Sequence, residues 1–264
     1  MGNAIKKFGW KRSSPRPDAG VNEVGLSRKH IVEGVKASLE RLQLDYVDLV
    51  FAHRPDPDTP TEELVRAFNW VIEQGWAFYW GTSEWSAEQL TDAHRVAEKL
   101  GLIGPLMEQP QYNLFHRERF EKEYAPIYQK HGLGTTIWSP LAGGVLTGQY
   151  NKEIPEGSRL SLKDNQFAAR AAAGLETPEG RDRLAKIEKL KPIAEKLDAT
   201  LAQLALAWTI KNPNVSSVIT GASRASQVTE NVKALQVVPK LTPEIFAEIE
   251  AILENKPAQE PSFR

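Results

Sequence analysis

The sequence predicts an α/β fold built on parallel strands, and three observations lead there. Short apolar runs alternate with helical patterns, strand starts recur roughly every 30 residues as in βαβ units, and the connections between them are short. Strand, helix, strand in that rhythm implies parallel pairing through right-handed crossovers, hence a barrel or a doubly wound sheet. A chain of 264 residues accommodates one such domain.

The elements follow in order. Residues 1–16 carry Lys6, Lys7, Lys11, Arg12 and Arg16 around Phe8 and Trp10, and read as the end of a helix followed by a solvated turn rather than as a nucleic-acid-binding arm. Ser27 is the N-cap of a helix with Ile31, Val32, Val35, Leu39 and Leu42 on one face. Residues 46–52 form a mostly apolar run of the kind buried on both faces of a sheet, broken by His53-Arg54-Pro55. The next helix is expected to start from Thr59 as N-cap, with Pro60 at the first helical position and Glu62 closing a capping box, and to stop at Gly75. Residues 77–80 read as a strand ending at Gly81-Thr82-Ser83, and Ser86 with Gln89 opens a helix that Gly101 stops. Residues 105–109 and 133–138 read as strands around a helix over 118–130. Residues 139–178 lack clean periodicity and read as a long loop. Helices over 181–197 and 201–211, a fifth strand over 215–220, and two closing helices complete the pattern, the last opening at Thr242-Pro243-Glu244. The segment 257–264 reads as a loose tail. Five strands fall short of the eight of a closed barrel.

Composition narrows the function. Lys and Arg number 33 against 34 Asp and Glu, so no overall field attracts nucleic acid or an anionic membrane. Zero cysteines exclude disulfides, Fe–S clusters and thiolate zinc sites, and the five histidines form no His-x-x-x-His pair; no metal site is expected. No signal-like apolar segment opens the chain and no run is long enough to span a bilayer, so a cytoplasmic protein without direct membrane insertion is expected.

In parallel α/β folds ligands bind where strands end at their carboxyl side. The residues there are His53 with Arg54, Ser83 with Glu84, Glu108 with Gln109, Trp138 with Ser139, and Gly221 with Ser223. His53 is either a hydrogen-bonded loop histidine or a donor to a carbonyl oxygen that gains charge, which suits carbonyl reduction better than hydrolysis. Gly221-Ala222-Ser223-Arg224 is either a plain turn or a backbone cradle for a phosphate. Trp138 either packs in the core or stacks on a flat ring. No Gly-x-Gly-x-x-Gly and no P-loop pattern occurs.

The strings FAHRPDPDTP (51–60), YWGTSEWS (79–86), EQPQYNLF (108–115), WSPLAGGVLTGQY (138–150) and GASRASQVTEN (221–231) together resemble the aldo-keto reductases, in the branch of the voltage-gated potassium channel β subunits and their fungal and plant relatives. The resemblance runs over residues 3–257. It implies a single (β/α)8 barrel domain over 1–264 that binds NADP(H) and reduces an aldehyde or ketone by hydride transfer, as an oxidoreductase of a fungal metabolic pathway. A small carbonyl substrate, and a homo-oligomeric or channel-like partner, come with it. The alternative it leaves is a catalytically inactive NADP(H)-binding auxiliary or redox-sensing subunit. Carried over by position, His53 is catalytic and Ser83 and Gln109 hold the nicotinamide carboxamide. Trp138, Ser139, Pro140, Leu141 and Ala142 run beneath the cofactor, Arg159 fixes its phosphates, and Gly221, Ser223, Gln227, Glu230 and Asn231 surround the adenosine end, which favours NADP over NAD. Three departures stand out. Glu84 occupies a position where channel β subunits carry Arg, and Gln149 one where they carry Lys, which lowers the expected cofactor affinity. The family's first three strands, with its catalytic Tyr, Asp and Lys, find no match, residues 1–26 being a remnant of the first helix plus a turn. An incomplete barrel of about five parallel strands with impaired reductase activity is therefore expected.

Overall fold

The computed structural model describes residues 24–162 and 165–258. The basic segment 1–16 and most of the 1–26 remnant lie outside them. The described residues contain five strands, every one paired in parallel, with helices between them. The chain divides into two compact units, residues 1–108 with 129–133 and residues 109–128 with 134–264.

In the first unit, α1 (Arg28–Leu42) opens as expected, the Ser27 side chain accepting from the His30 N–H, and buries Ile31, Val35 and Leu39. It leads to β1 (Val47–Ala52), then α2 (Thr61–Glu73), β2 (Ala77–Thr82), α3 (Ala87–Leu100) and the two-residue β3 (Met107–Glu108). β1 pairs with β2 from Val47 opposite Ala77 to Ala52 opposite Thr82, and β2 with β3 at Gly81 opposite Met107 and Thr82 opposite Glu108. The apolar faces of α2 and α3 meet the sheet through Leu64, Val65, Phe68, Val71, Leu90 and Ala93, all nearly inaccessible, and Phe68 stacks on Trp80 at 4.8 Å between ring centres. Asn69 holds the approach to β3 with two hydrogen bonds to the Ile103 backbone, and the Trp80 indole donates to the same carbonyl. His94 on α3 stacks on His131 with ring centres 4.1 Å apart, and burial followed by the neighbouring imidazole pushes His94 down to about 4.

In the second unit, a π-helical turn at Arg119–Glu123 runs into α4 (Ala125–His131), whose last turn belongs to the first unit. β4 (Gly134–Ile137) pairs with β5 (Ser217–Val218), Thr136 opposite Ser217. Between them lie α5 (Gln166–Leu175), α6 (Pro178–Lys196) and α7 (Leu201–Lys211); α8 (Ala225–Val232), α9 (Ala234–Val237) and α10 (Pro243–Leu253) close the chain. Tyr112, Phe120, Ile137, Ile187, Leu190, Leu204 and Ile249 form the centre of its core. Arg117, buried, donates to Glu121 at 2.9 Å, to Glu250 at 2.8 Å and to Asn255 at 3.0 Å, and lies over the Trp208 ring. A buried guanidinium needs every donor met, and these partners pin α10 to the rest of the unit.

Four expectations are corrected. The apolar run at 46–52 is not buried on both faces: Leu49 remains 41% exposed, and Phe78 and Tyr79 beside it on β2 are exposed too. An unbroken apolar run shows only that neither face favours water; burial needs a second layer, which the described residues do not lay over these side chains. α2 starts at Thr61 with Pro60 as its cap, because the Thr59 hydroxyl donates to Asp56 at 2.8 Å instead of accepting from the helix. Residues 139–178 are not a bare loop but hold two 3₁₀ turns and α5. Pro257, placed at the start of a loose tail, is buried; residues 259–264 lie outside the described residues.

A Cβ added at Gly81 would lie 2.5 Å from both the carbonyl oxygen and the Cγ of Met107. Gly81→Ala is expected to lower the free energy of urea unfolding by about 1–3 kcal/mol, the usual cost of overpacking, whereas an unchanged midpoint would contradict the close approach of β2 and β3.

Candidate cofactor site

Parallel strands deliver their next residues to one end of their sheet, and in the first unit His53, Arg54, Ser83 and Glu84 stand at such strand ends. β1 ends at Ala52, so His53 and Arg54 follow it; β2 ends at Thr82, so Ser83 and Glu84 follow it. The Ser83 N–H donates to the Ala52 carbonyl at 3.1 Å, which ties the first residue after β2 to the last residue of β1. Arg54 donates through one nitrogen to the Ser83 hydroxyl at 3.0 Å and to the carbonyl of His53. Burial, with the Arg54 charge adding to it, holds the His53 imidazole below its ordinary value. His53 is therefore mostly neutral at pH 7 and has a ring N–H to donate.

Behind Ser83 lies Glu108, without exposed surface. Its register partner Thr82 donates a hydroxyl to it, and the backbone N–H of Trp85, at 3.3 Å, and that of Glu84 donate as well. Glu84 sits in the left-handed region at φ 61°, so the chain turns sharply after Ser83. Burial dominates over these donors and pushes the Glu108 carboxyl up to about 7, with the Glu84 charge acting in the same direction.

In the second unit, Gln109 follows β3 and donates to the Thr136 hydroxyl at 3.4 Å. Trp138, half-buried directly after β4, is held by backbone bonds to Pro110 at 3.0 Å and from Tyr112 at 3.3 Å. Ser139 has φ 55° and Ala142 φ 49°, and Gly143 and Gly144 continue in positive φ. Left-handed non-glycine residues are uncommon and collect at ligand sites, since surrounding contacts must hold them. Here the buried Asn113 side chain donates to the Ser139 carbonyl at 3.0 Å, and the Ala142 N–H closes back on the same oxygen at 2.9 Å. Pro140 is buried and Leu141 half-buried within this turn, and Arg159 is exposed at the start of its 3₁₀ turn.

Gly221 and Ser223 follow β5, and Gln227, Glu230 and Asn231 lie on α8. The cradle reading of 221–224 needs revision. One side-chain oxygen, on Gln227, accepts from the Ser223 N–H at 2.8 Å, the Ser223 hydroxyl at 3.1 Å and the Arg224 N–H at 3.3 Å, so the helix caps its own amides. A phosphate on those amides would have to replace an amide oxygen already in place. Gln203, buried in the first turn of α7, donates to the Glu230 carbonyl at 3.1 Å and fixes that residue. Among the described residues, no three His, Asp or Glu side chains are placed to hold a metal, and no helix is long and apolar enough to cross a membrane.

Residues 3–254 match the aldo/keto reductase family. The chain belongs to that family. Its fold is the (β/α)8 barrel, and the five parallel strands among the described residues agree with the expected number. Three similar proteins carry one kind of name. A probable voltage-gated potassium channel subunit beta of Arabidopsis thaliana is 54% identical over 273 residues, covering all of this chain and 81% of its own length. One of Oryza sativa is 53% identical with the same coverage, and a putative one of Schizosaccharomyces pombe is 52% identical over 98% of this chain and 77% of its own. Residues 138–144 and 82–85 thus lie in a family chain at the carboxyl ends of strands, the places where such folds hold ligands.

Thr82 in the first unit, and Asn113 and Gln203 in the second, each fix a neighbouring residue but do not stand out in the sequence. The one signal was Glu108, a charged residue closing an apolar run.

His53 is expected to titrate below 6.5 in a proton–nitrogen NMR experiment, and Arg54→Ala to raise that midpoint only part of the way back, because burial outweighs the neighbouring charge. A full return to 6.5 in the variant would make the charge, not burial, the dominant cause.

Proposed function

We propose that the protein is an NADP(H)-binding oxidoreductase that reduces a small aldehyde or ketone, with His53 as the hydrogen-bond donor to the substrate carbonyl. The observation that carries this reading is His53 directly after β1, its charge suppressed by burial, next in sequence to the Ala52 carbonyl that holds Ser83.

The donor set suits such a cofactor. Ser83 and Gln109 offer a hydroxyl and an amide, which between them match both ends of a carboxamide. The fixed turn over Trp138, Ser139, Pro140, Leu141 and Ala142 offers an aromatic face and a rigid backbone for a flat ring. Arg159 offers a positive charge to phosphates, while Gly221, Ser223, Gln227, Glu230 and Asn231 offer exposed polar groups to the adenosine end. Glu84 and Gln149, at positions where the resemblance leads one to expect cations, leave this set less positive, so affinity is modest. The bound cofactor supplies the hydride. His53 donates its ring N–H to the carbonyl oxygen and so favours the charge that develops there. A neutral imidazole is a poor source of a full proton at pH 7, so His53 acting alone turns substrate over slowly.

That last point favours a second reading on its own observation: a cytoplasmic NADP(H)-binding auxiliary subunit, homo-oligomeric and bound to a channel-like partner. The names of the three relatives support it.

Titration of the purified chain with NADPH is expected to quench tryptophan fluorescence, and NADH to do so more weakly. Reduction of an aromatic aldehyde should proceed slowly, and His53→Ala should lower that rate about 100-fold, within the range for a lost acid–base or donor group, with NADPH affinity unchanged. Binding without any turnover selects the auxiliary reading, and no binding overturns both.

A further inference from the structure

Glu108 does more than end a strand. Its buried carboxylate meets three donors, the Thr82 hydroxyl and the N–H groups of Glu84 and Trp85, and all come from one four-residue turn. Ser83 is the residue in the middle of that turn. Its N–H is fixed on Ala52 and its hydroxyl accepts from Arg54, so the turn behind it and these two bonds together set its orientation. A buried carboxylate is costly unless donors surround it, and a turn with a left-handed glutamate in it persists only when held. Each condition here answers the other.

We infer that Glu108 is the positioning residue of the Ser83 site: its carboxylate locks the turn at 82–85 and thereby sets how Ser83 meets the nicotinamide carboxamide. This rests on the NADP(H) reading above.

The lock depends on charge. An ionised carboxylate accepts all three hydrogen bonds, whereas a protonated one must place an O–H among donors and gives up at least one acceptor position. With Glu108 pushed up to about 7, the lock weakens as pH falls through neutrality. The charged and titratable groups around the turn are Glu84 within it, and Arg54 and His53 from the end of β1. Stability responds with the opposite sign. A carboxyl raised above its unfolded value contributes stability that is fully present below that value and is lost as pH rises through about 7. Raising the pH thus tightens the cofactor turn while costing global stability, a divergence that a purely structural role would not produce.

The test compares wild type with Glu108→Gln, which keeps the volume and one acceptor oxygen but cannot ionise. NADPH affinity is read by fluorescence from pH 6 to 8 with unfolding midpoints measured alongside. At pH 8 the variant is expected to bind about tenfold more weakly, the size of effect a lost charged hydrogen bond gives, and to converge on wild type toward pH 6. In a Ser83→Ala background the same substitution should change affinity by less than about twofold, since the effect passes through Ser83. The unfolding midpoint of Glu108→Gln should not fall below that of wild type at pH 8. A pH-independent ratio, an equal penalty without Ser83, or affinity within about twofold of wild type at pH 8 each overturns the inference while leaving NADP(H) binding intact. Wild type that binds no NADPH overturns the functional reading and this inference with it. Carbon-13 NMR of the Glu108 carboxyl without cofactor supplies a separate arm: a midpoint near 7 is expected, and one in the ordinary glutamate range refutes the charge-dependent lock.

Discussion

Parallel pairing is the constraint from which the rest of the molecule follows. In a parallel ladder each strand runs in the same direction, so the residue after every strand emerges at the same end of the sheet. β1 and β2 do this with His53 and Ser83, with Glu108 as the last residue of β3 beside them, and β4 does it with Trp138, while Gly221 comes three residues after β5. Residues far apart in the chain become neighbours in chemistry because crossovers return the chain to its starting end each time. The register makes the result specific. Thr82 stands opposite Glu108, and that one alignment brings a hydroxyl to a carboxylate with no water-exposed surface.

The electrostatics of the candidate site run toward neutrality. Burial holds His53 below its ordinary value and pushes Glu108 up to about 7, so the charged form of each is disfavoured. Glu84 and Gln149 replace cations that the family resemblance leads one to expect. Arg54, which donates to the Ser83 hydroxyl, is the cation beside His53 in the first unit.

Of the left-handed non-glycine residues among those described, Gln43, Asp198 and Glu254 lie at helix ends and the other three at strand-end turns. Glu84, Ser139 and Ala142 adopt left-handed conformations that glycine would enter at less cost, and each is tied down by a buried polar group or by its own turn: Glu108 for the first, Asn113 and the Ser139 carbonyl for the others. The supports are as much a part of the site as the residues that face a ligand.

Helix starts were legible at Ser27, at Ser86 with Gln89, and at Thr242, where a side chain caps its own helix within three residues of sequence and local chemistry suffices. Thr177 caps α6 in the same way, yet the sequence pattern places the start of that helix at residue 181. Thr59 failed as a cap because its hydroxyl met Asp56, a competitor that only the folded loop brings close. The motif strings alone determined the family and the order of strand-end residues, since both depend on residue identity along the chain. Tertiary structure decided what lies behind those residues: that Leu49 stays exposed, that the Gln227 side chain accepts from the amides at the start of α8, and that Glu108 closes on Thr82 and the turn beyond it. Those outcomes depend on register and on the second layer over each face, and separation in space between residues 26 apart in sequence is not written in either segment by itself.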